Sequence, residues 1–158
     1  MDKSKIILTF LIPLLIFFDQ LTKSWALVNL FNTQKIIQIN KFLNLVPVWN
    51  KGISFGIFSN ITNINSFMIV TTSIIILVLV VWFLKDKNKN IGIFLFFIIS
   101  GAIGNLIDRF KHEAVIDFID IHVKNIHWPA FNLADSYITI GVFFYLYTIF
   151  AGEKINNS

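Results

Sequence analysis

The sequence predicts an all-α membrane protein with four transmembrane helices and a small extracytoplasmic β-sheet, in one domain over residues 1–158. Of the 158 residues, 56% are hydrophobic and 18 are Phe, and the mean hydropathy is positive, which is rare in a soluble domain. Four apolar runs approach the roughly 20 residues that a helix needs to cross a bilayer. Between the first two runs, short stretches alternate apolar and polar residues, as a half-buried strand does.

The predicted spans cover residues 6–28, 66–84, 91–107 and 131–151, with outer loops at 29–65 and 108–130. The first span continues past Asp19 to Val28, so it is longer than the apolar core of a secretory signal. Pro129 precedes the fourth span, and Asn132 is a natural N-cap for it. The sequence therefore favours a bundle of four retained helices.

The first outer loop is expected to form a small sheet on the membrane surface. Residues 37–40 and 42–45 alternate in the manner of strands, and 50–52 reads Asn-Lys-Gly, a turn sequence. Apolar character resumes over 53–58, around Gly56. Such a sheet could bind an extended peptide along its edge, although a plain surface hairpin is an equal alternative.

Positive charges suggest which ends of the helices face the cytoplasm. Lys3 and Lys5 precede the first span, three lysines crowd the loop at 85–90, and Lys154 follows the fourth span. This density predicts that both termini are cytoplasmic and that the two longer loops face outward. The net charge of +4 is better explained by anionic lipid head groups than by nucleic acid, since no basic stripe with interleaved aromatic residues is present.

Four aspartates lie within or beside the apolar runs: Asp19, Asp108, Asp117 and Asp135. Ionised groups at such depth are costly, so they mark a functional site by default. Two have a structural alternative. Asp19 and Lys23 form an acid-before-base pair at i,i+4, which stabilises a helix. Asp135 stands three residues after Asn132, where it could complete a capping box.

The third span has one polar face. Gly101, Asn105, Asp108 and Arg109 are spaced at i, i+4, i+7 and i+8, so they lie together on the helix. Ser100 and Gly104 form a small-xxx-small pair, which predicts close approach of another helix. The face could be packing contacts alone, but the Arg109 guanidinium could also reach a ligand carbonyl or phosphate.

The loop after the third span contains His112, Glu113, His122 and His127, which superficially resemble metal ligands. A His-Glu-x-x-His site would need histidine at position 116, which is Ile116, and the chain has no cysteine. The sequence therefore predicts neither a metal nor another cofactor. The gathered carboxylates favour acid–base chemistry, because two close acids cannot both ionise cheaply. Spacing alone leaves Asp108, Asp117 and Asp120 open as the partner of Asp135.

Five motifs follow one another along the chain: Asp19-Gln20-Leu21-Thr22-Lys23, Asn50-Lys51-Gly52-Ile53-Ser54-Phe55, Gly104-Asn105-Leu106-Ile107-Asp108-Arg109, Val115-Ile116-Asp117-Phe118 and Phe131-Asn132-Leu133-Ala134-Asp135-Ser136. In this order, and with four spans, they resemble the lipoprotein signal peptidases, also called signal peptidase II. That family consists of aspartic peptidases of the bacterial inner membrane, which remove signal peptides from diacylglyceryl-modified prolipoproteins just before the lipidated cysteine.

The resemblance implies a role for each matching residue. Asp117 and Asp135 become the catalytic pair, without a metal or covalent intermediate, and Asp108 becomes supporting. Asn50, Gly52, Asn105, Arg109 and Asn132 match positions that line the site, where the amides could hold the substrate backbone and Arg109 a carbonyl. Asp19 and Lys23 are expected to brace the helices.

The resemblance also implies the protein's surroundings. The first outer loop is compatible with the family's extracytoplasmic β-cradle, and the active site should lie near the outer face of the membrane. The partners would be prolipoprotein substrates and membrane lipids, with the enzyme acting as a monomer. Without the resemblance, a small transporter that relays protons through its acids would be a comparable hypothesis, although the inner half of each span is almost entirely apolar. A non-catalytic scaffold would leave the gathered acids unexplained.

Overall fold

Four long helices form the body of the protein. The computed structural model describes residues 3–52, 64–86 and 88–156. The helices are α1 (Lys3–Ala26), which continues as a π-helical turn over Leu27–Phe31, α2 (Ile64–Lys85), α3 (Lys89–His112) and α4 (Leu133–Asn156). All four contain stretches long and apolar enough to cross a membrane, as the predicted fold class requires.

The α3 helix lies at the centre of the bundle and packs against each of the other three. Small residues permit this closeness: a Cβ atom on Gly101 would lie 2.3 Å from the Ala134 carbonyl oxygen on α4. A Cβ on Gly104 would lie 2.6 Å from the Asp19 carboxylate on α1. The close approach predicted around Ser100 and Gly104 is therefore confirmed.

The outward surfaces of the helices are strongly apolar. Residues such as Phe10 on α1, Leu77 on α2 and Phe143 on α4 expose more than half of their side chains in the isolated protein. Only α3 has about half of its span covered by protein. Exposed apolar surface of this extent is typical of helices that face lipid.

A four-stranded antiparallel sheet covers one end of the helices. Its strands are β1 (Ile37–Asn40), β2 (Leu43–Asn50), β3 (Val115–Val123) and β4 (Ile126–His127), in that spatial order. The β2 register breaks between Leu45 and Val48, where Pro47 lies. Proline lacks the N–H that a ladder needs and is tolerated at such irregularities.

A lysine on α1 contacts the end of α2 at the opposite end of the bundle. The Lys5 ammonium near the start of α1 donates hydrogen bonds to the Phe83 and Asp86 carbonyls at the end of α2. A cation satisfies the unpaired carbonyls and the negative end of a helix dipole there. The first residues of α1 and the short connection from α2 to α3 therefore lie at the same end, away from the sheet.

Two features differ from the sequence expectation. The third helix continues to His112, beyond the predicted end of the span at residue 107, so Asp108 and Arg109 lie on α3, as their spacing with Gly101 and Asn105 predicted. A hydropathy profile places the end of a span at the first charged residues, whereas the helical backbone continues beyond them. Basic residues in the last turn are stabilised by the negative end of the helix dipole. Strands β3 and β4 were not predicted. The apolar segment predicted over 53–58 lies outside the described residues.

Candidate active site

Asp117 and Asp135 meet at the junction of the sheet and the helices. Asp117 lies in β3, and Asp135 is in the first turn of α4. Asn132 is bonded to both: its side-chain Nδ2 donates to Asp117 Oδ1 at 2.7 Å, and its backbone N–H donates to Asp135 Oδ2 at 3.2 Å. The structure thus brings together two acids that are 18 positions apart, by the difference of their numbers.

Asp135 also takes part in a complete capping box. The Asp135 N–H donates to Asn132 Oδ1 at 3.0 Å, while the Asp135 carboxylate accepts from the Asn132 N–H. This reciprocal pair satisfies two backbone donors at the start of α4 and fixes the carboxylate against the helix end. The capping role predicted for Asp135 is therefore present in the structure. It does not exclude a catalytic role, since among the described residues Asp135 Oδ1 accepts a hydrogen bond only from the Asn105 amide.

The asparagines are directed at the acids. Asn50 Nδ2 donates to Asp117 Oδ2 at 2.9 Å, and Asn105 Nδ2 donates to Asp135 Oδ1 at 2.7 Å. Asn50 Oδ1 accepts the N–H of Gly52, whose φ of 81° lies in the region that favours glycine. These hydrogen bonds orient the two carboxyls, and the expected hold of the amides on the substrate backbone stays a prediction.

The Asp117 carboxyl is a weak acid. It is 1% exposed, and loss of hydration, followed by the nearby Asp135 charge, raises its pKa to about 7. Hydrogen bonds from Asn50 and Asn132, with the more distant charge of Lys23, act in the opposite direction and do not overcome the burial. Near neutral pH this carboxyl can therefore either hold or release a proton.

A buried cluster of charged residues lies next to Asp117 and Asp135, on the side of the helix bundle. The Lys23 ammonium is 2.8 Å from a carboxylate oxygen of Asp19 and 2.8 Å from one of Asp108, and it donates to Asn105 Oδ1 at 2.9 Å. Because Asn105 also donates to Asp135, the cluster and the candidate site share one residue. Asp19 and Lys23 form the predicted i,i+4 pair on α1, and Lys23 also contacts Asp108 and Asn105 on α3.

Asp19 and Asp108 have all their oxygens engaged. Asp19 Oδ1 accepts the Ala134 N–H of α4 at 2.9 Å. Asp108 Oδ1 accepts from Gln20 Nε2 at 2.9 Å, and Oδ2 accepts the Ile116 N–H of β3 at 3.2 Å. These bonds attach α1 to α4 and α3 to β3. Gln20 belongs to the first motif, but its bridging role had no signal in the sequence beyond its position beside Asp19.

Arg109 has an unused donor. Its side chain is 8% exposed, and its Nη1 has no hydrogen-bond partner among the described residues. A Cβ on Gly52 would be 3.5 Å from this nitrogen, so the Asn50–Gly52 turn lies against the guanidinium. A buried N–H without a partner costs about 1–3 kcal/mol, and a ligand carbonyl would remove that cost.

An apolar cavity of about 700 Å³ opens beside Asp135. Its walls come from the end of β3, the 128–131 segment and the first turns of α4, with lining residues Ile121, Trp128, Pro129, Ala130, Phe131, Ser136, Thr139 and Ile140. Since Thr139 and Ile140 are exposed on α4, the cavity is continuous with the lipid-facing surface. It could admit an apolar chain to a carboxylate.

The sequence and the fold both have known relatives. A family model described as signal peptidase (SPase) II matches residues 11–151. The chain is 43% identical over 128 residues to the lipoprotein signal peptidase of Anaplasma phagocytophilum, covering 81% of each chain. It is 40% identical over 156 residues to the lipoprotein signal peptidase of Rickettsia africae, covering 96% of this chain and 74% of that protein.

Two solved structures, both described as bacterial membrane enzymes determined by the in meso method, have the same fold. One aligns with a TM-score of 0.77 over 96% of this chain and 91% of its own, and the other with 0.79 over 90% and 92%. Each is 29% identical to this chain. The sequence resemblance and the predicted fold class are thereby confirmed.

Proposed function

This chain belongs to the signal peptidase II family of membrane proteases that process lipoprotein precursors, and we propose that it is an aspartic peptidase whose catalytic residues are Asp117 and Asp135. The observation that carries the proposal is the shared Asn132. One residue donates to both carboxyls, and burial of Asp117 raises its pKa to about 7, so the pair can share a single proton near neutral pH.

We assign the resting proton to Asp117, because it is the more deeply buried acid. Asp135 borders the open cavity, whereas Asp117 is 1% exposed. In the reaction, the Asp135 carboxylate removes a proton from water as the water oxygen attacks the scissile carbonyl carbon. The Asp117 carboxyl donates its proton to the carbonyl oxygen at the same time.

The tetrahedral intermediate then collapses, and the carbon–nitrogen bond breaks. The proton held by Asp135 passes to the leaving nitrogen, and Asp117 regains a proton from the collapsing hydroxyl, so the pair returns to its starting state. General acid–base catalysis of this kind is worth about 10²–10⁴-fold. No covalent enzyme intermediate is formed, because water is the nucleophile.

Arg109 supplies the positive charge of the site. Its unpaired Nη1 and its proximity to the Asn50–Gly52 turn suit it to bind a carbonyl of the substrate backbone. Asn50, Asn105 and Asn132 are positioning residues, since their amides orient the carboxyls. Lys23, Asp19 and Asp108 support them from behind.

The location of the site supports a substrate delivered from the membrane. The lysines at the α1 and α2–α3 end predict that both termini are cytoplasmic, so the sheet and the acids would lie near the outer face. A signal helix in the bilayer presents its end at that level, and the cavity beside Asp135 is open to lipid. Acyl chains could stay in lipid while the bond before a diacylglyceryl-modified cysteine reaches the pair.

The test is a cleavage assay with purified protein in detergent. The substrate is a diacylglyceryl-modified prolipoprotein, beside its unlipidated form, and the enzymes are wild type, Asp117→Asn and Asp135→Asn. We expect the wild type to release the signal peptide from the lipidated form alone and both variants to lose at least about 10³-fold in rate. Asp86→Asn is the matched control, because Asp86 lies at the opposite end of the helices.

Turnover by either site variant at a tenth of the wild-type rate or above would refute the pair. Complete inactivity of a folded wild type, together with ion flux through reconstituted vesicles, would support the transporter hypothesis instead. Cleavage should also persist in EDTA, since no step of the proposed reaction uses a metal.

A further inference from the structure

The geometry points to a metal-binding site that is separate from the proposed catalytic pair. Asp120, His122 and His127 converge on one face of the β3–β4 hairpin, with one potential ligand atom from each lying within 4.8 Å of the others. We infer that these three side chains bind a divalent transition-metal ion, Zn²⁺ being the ion of choice. The sequence predicted no such site, because the histidines do not have the spacing of a known motif.

The strand register explains how the ligands come together. His122 pairs directly with His127 across the hairpin, and their rings stack with centroids 4.8 Å apart. Asp120 precedes His122 by two residues, so both side chains lie on the same face of β3. Three ligands from two antiparallel strands can therefore meet without a helical or Cys-based motif.

The distances suit a small ion. His127 Nδ1 lies 2.9 Å from Asp120 Oδ1, and His122 Nδ1 lies 3.6 Å from Asp120 Oδ2. In a tetrahedral zinc site with bonds of about 2.0–2.1 Å, neighbouring ligand atoms are about 3.3 Å apart. These two separations bracket that value, whereas the widest ligand pair of the cluster, up to 4.8 Å apart, must close when the ion binds. The His127 side chain, 51% exposed, has room to move for this.

An ordinary ion pair does not account for the whole cluster. A protonated His127 would satisfy Asp120, but His122 Nδ1 would remain buried without a hydrogen-bond partner among the described residues. The His122 side chain is only 10% exposed and faces the Asp120 carboxylate. A metal ion bound by the lone pair of His122 Nδ1 would give this nitrogen the partner that it lacks.

Asp120 is itself held in place. Its side chain is 8% exposed, and Asn44 Nδ2 on β2 donates to its Oδ2 at 3.1 Å. A hydrogen bond from outside the ligand set is the usual way to orient a ligating carboxylate. Two imidazoles and one carboxylate favour Zn²⁺, Ni²⁺ or Cu²⁺ over Mg²⁺ and Ca²⁺, and they leave a position for water.

The ion would stabilise one wall of the cavity beside Asp135. The Trp128 N–H donates to the Ile121 carbonyl at 2.8 Å, directly after His127, and both residues line the cavity. Strand β4 has only two residues, so a metal bridge between β3 and β4 adds a cross-link where the ladder is shortest. We expect binding to hold this rim rather than to enter the proteolytic reaction.

The experiment uses full-length protein purified in detergent with a histidine-free tag and stripped with EDTA. Equilibrium dialysis against Zn²⁺ gives the stoichiometry and affinity, and Co²⁺ absorption reports the nitrogen and oxygen coordination. We expect one Zn²⁺ per chain. His127→Gln should weaken binding at least about tenfold, since even the loss of an outer-shell partner costs about 10–100-fold.

The chain provides a matched control, because it has three histidines and the third, His112, lies elsewhere, against the Trp49 ring. His112→Gln should bind Zn²⁺ as wild type does. Hydrogen exchange over 121–128 should slow on adding Zn²⁺ in wild type and not in His127→Gln. No Zn²⁺ binding above the dialysis background, or equal loss in the His112 and His127 variants, would overturn the inference. So would undiminished binding by His127→Gln.

Discussion

Replacing Asp117 by Asn should change how the stability of the protein depends on pH. An aspartate in an unfolded chain has a pKa of about 3.9, whereas burial raises that of Asp117 to about 7 in the folded protein. Between these values the folded state binds the extra proton. Unfolding then releases a proton, so the free energy of unfolding falls as the pH rises through this range.

The size of the effect follows from the pKa. Each pH unit inside the range is worth about 1.4 kcal/mol, and a rise from pH 5 to pH 8 crosses about two such units, so the wild type should lose about 3 kcal/mol. Asp117→Asn lacks this titration and should lose none of it. For a chain of this length the difference corresponds to about 6–12 °C in melting temperature.

A constant penalty accompanies the substitution. In the wild type, the side-chain amides of Asn50 and Asn132 each donate to one oxygen of Asp117. An asparagine at position 117 would place its own NH₂ donor against one of these two donors. An unsatisfied pair of this kind costs about 1–3 kcal/mol at every pH. The two proteins must therefore be compared by slope against pH rather than by stability at a single pH.

The assay is thermal unfolding in detergent at half-unit steps from pH 5 to pH 8, followed by the fluorescence of the four tryptophans. Asp86→Asn is the control. Hydrogen bonds from the Asn88 N–H and the Trp82 indole hold the pKa of Asp86 below its usual value, so it stays ionised throughout this range. Its curve should parallel that of wild type, whereas a parallel curve for Asp117→Asn would contradict the raised pKa of Asp117.

Three further outcomes are expected. The kcat/KM for cleavage should fall above about pH 7 as the shared proton is lost, and a rate that keeps rising to pH 9 would contradict that assignment. Lys23→Met should destabilise the protein by about 3–5 kcal/mol by leaving two buried carboxylates without their cation; thermal unfolding measures this, and exposed Lys35→Met should change little. Gly101→Ala should lower both stability and cleavage, because its Cβ would meet the Ala134 carbonyl at 2.3 Å. Gly92→Ala, where the nearest atom is 3.6 Å away, should preserve both, and equal behaviour of the two glycine variants would exclude close helix packing as the cause.

Much of the architecture follows from the sequence because bilayer thickness is a strong constraint. Four apolar runs predict the four helices, and alternation predicts β1 and the start of β2. The end of α3 was placed too early, because hydropathy falls at Asp108 while the helix continues to His112. The sequence of β3 could have predicted a strand. Most of its apolar residues are β-branched, and Asp117, Asp120 and His122 are interspersed among them.

The site is less accessible to sequence reasoning. Spacing left three acids open as the partner of Asp135, and only the resemblance selected Asp117. No spacing rule connects Asn132 to Asp117 or Lys23 to Asp108, because these contacts join different elements of the fold. The histidine pair shows the same limit, since hairpin register, and not distance along the chain, brings His122 beside His127.

The bond from the Ala134 N–H to Asp19 has a consequence for biosynthesis. It joins atoms 115 residues apart, on α1 and α4, which leave the ribosome earliest and latest of the four described helices. Until the fourth helix is inserted, Asp19 lacks this donor, and Lys23 must wait for α3 to supply Asp108. The buried polar contacts around Asp19 and Lys23 therefore form completely only after all four helices have been inserted. A chain that ends after α3 would leave the Asp19 carboxylate short of one donor, so the contact between the first and fourth helices is a mark of a completed bundle.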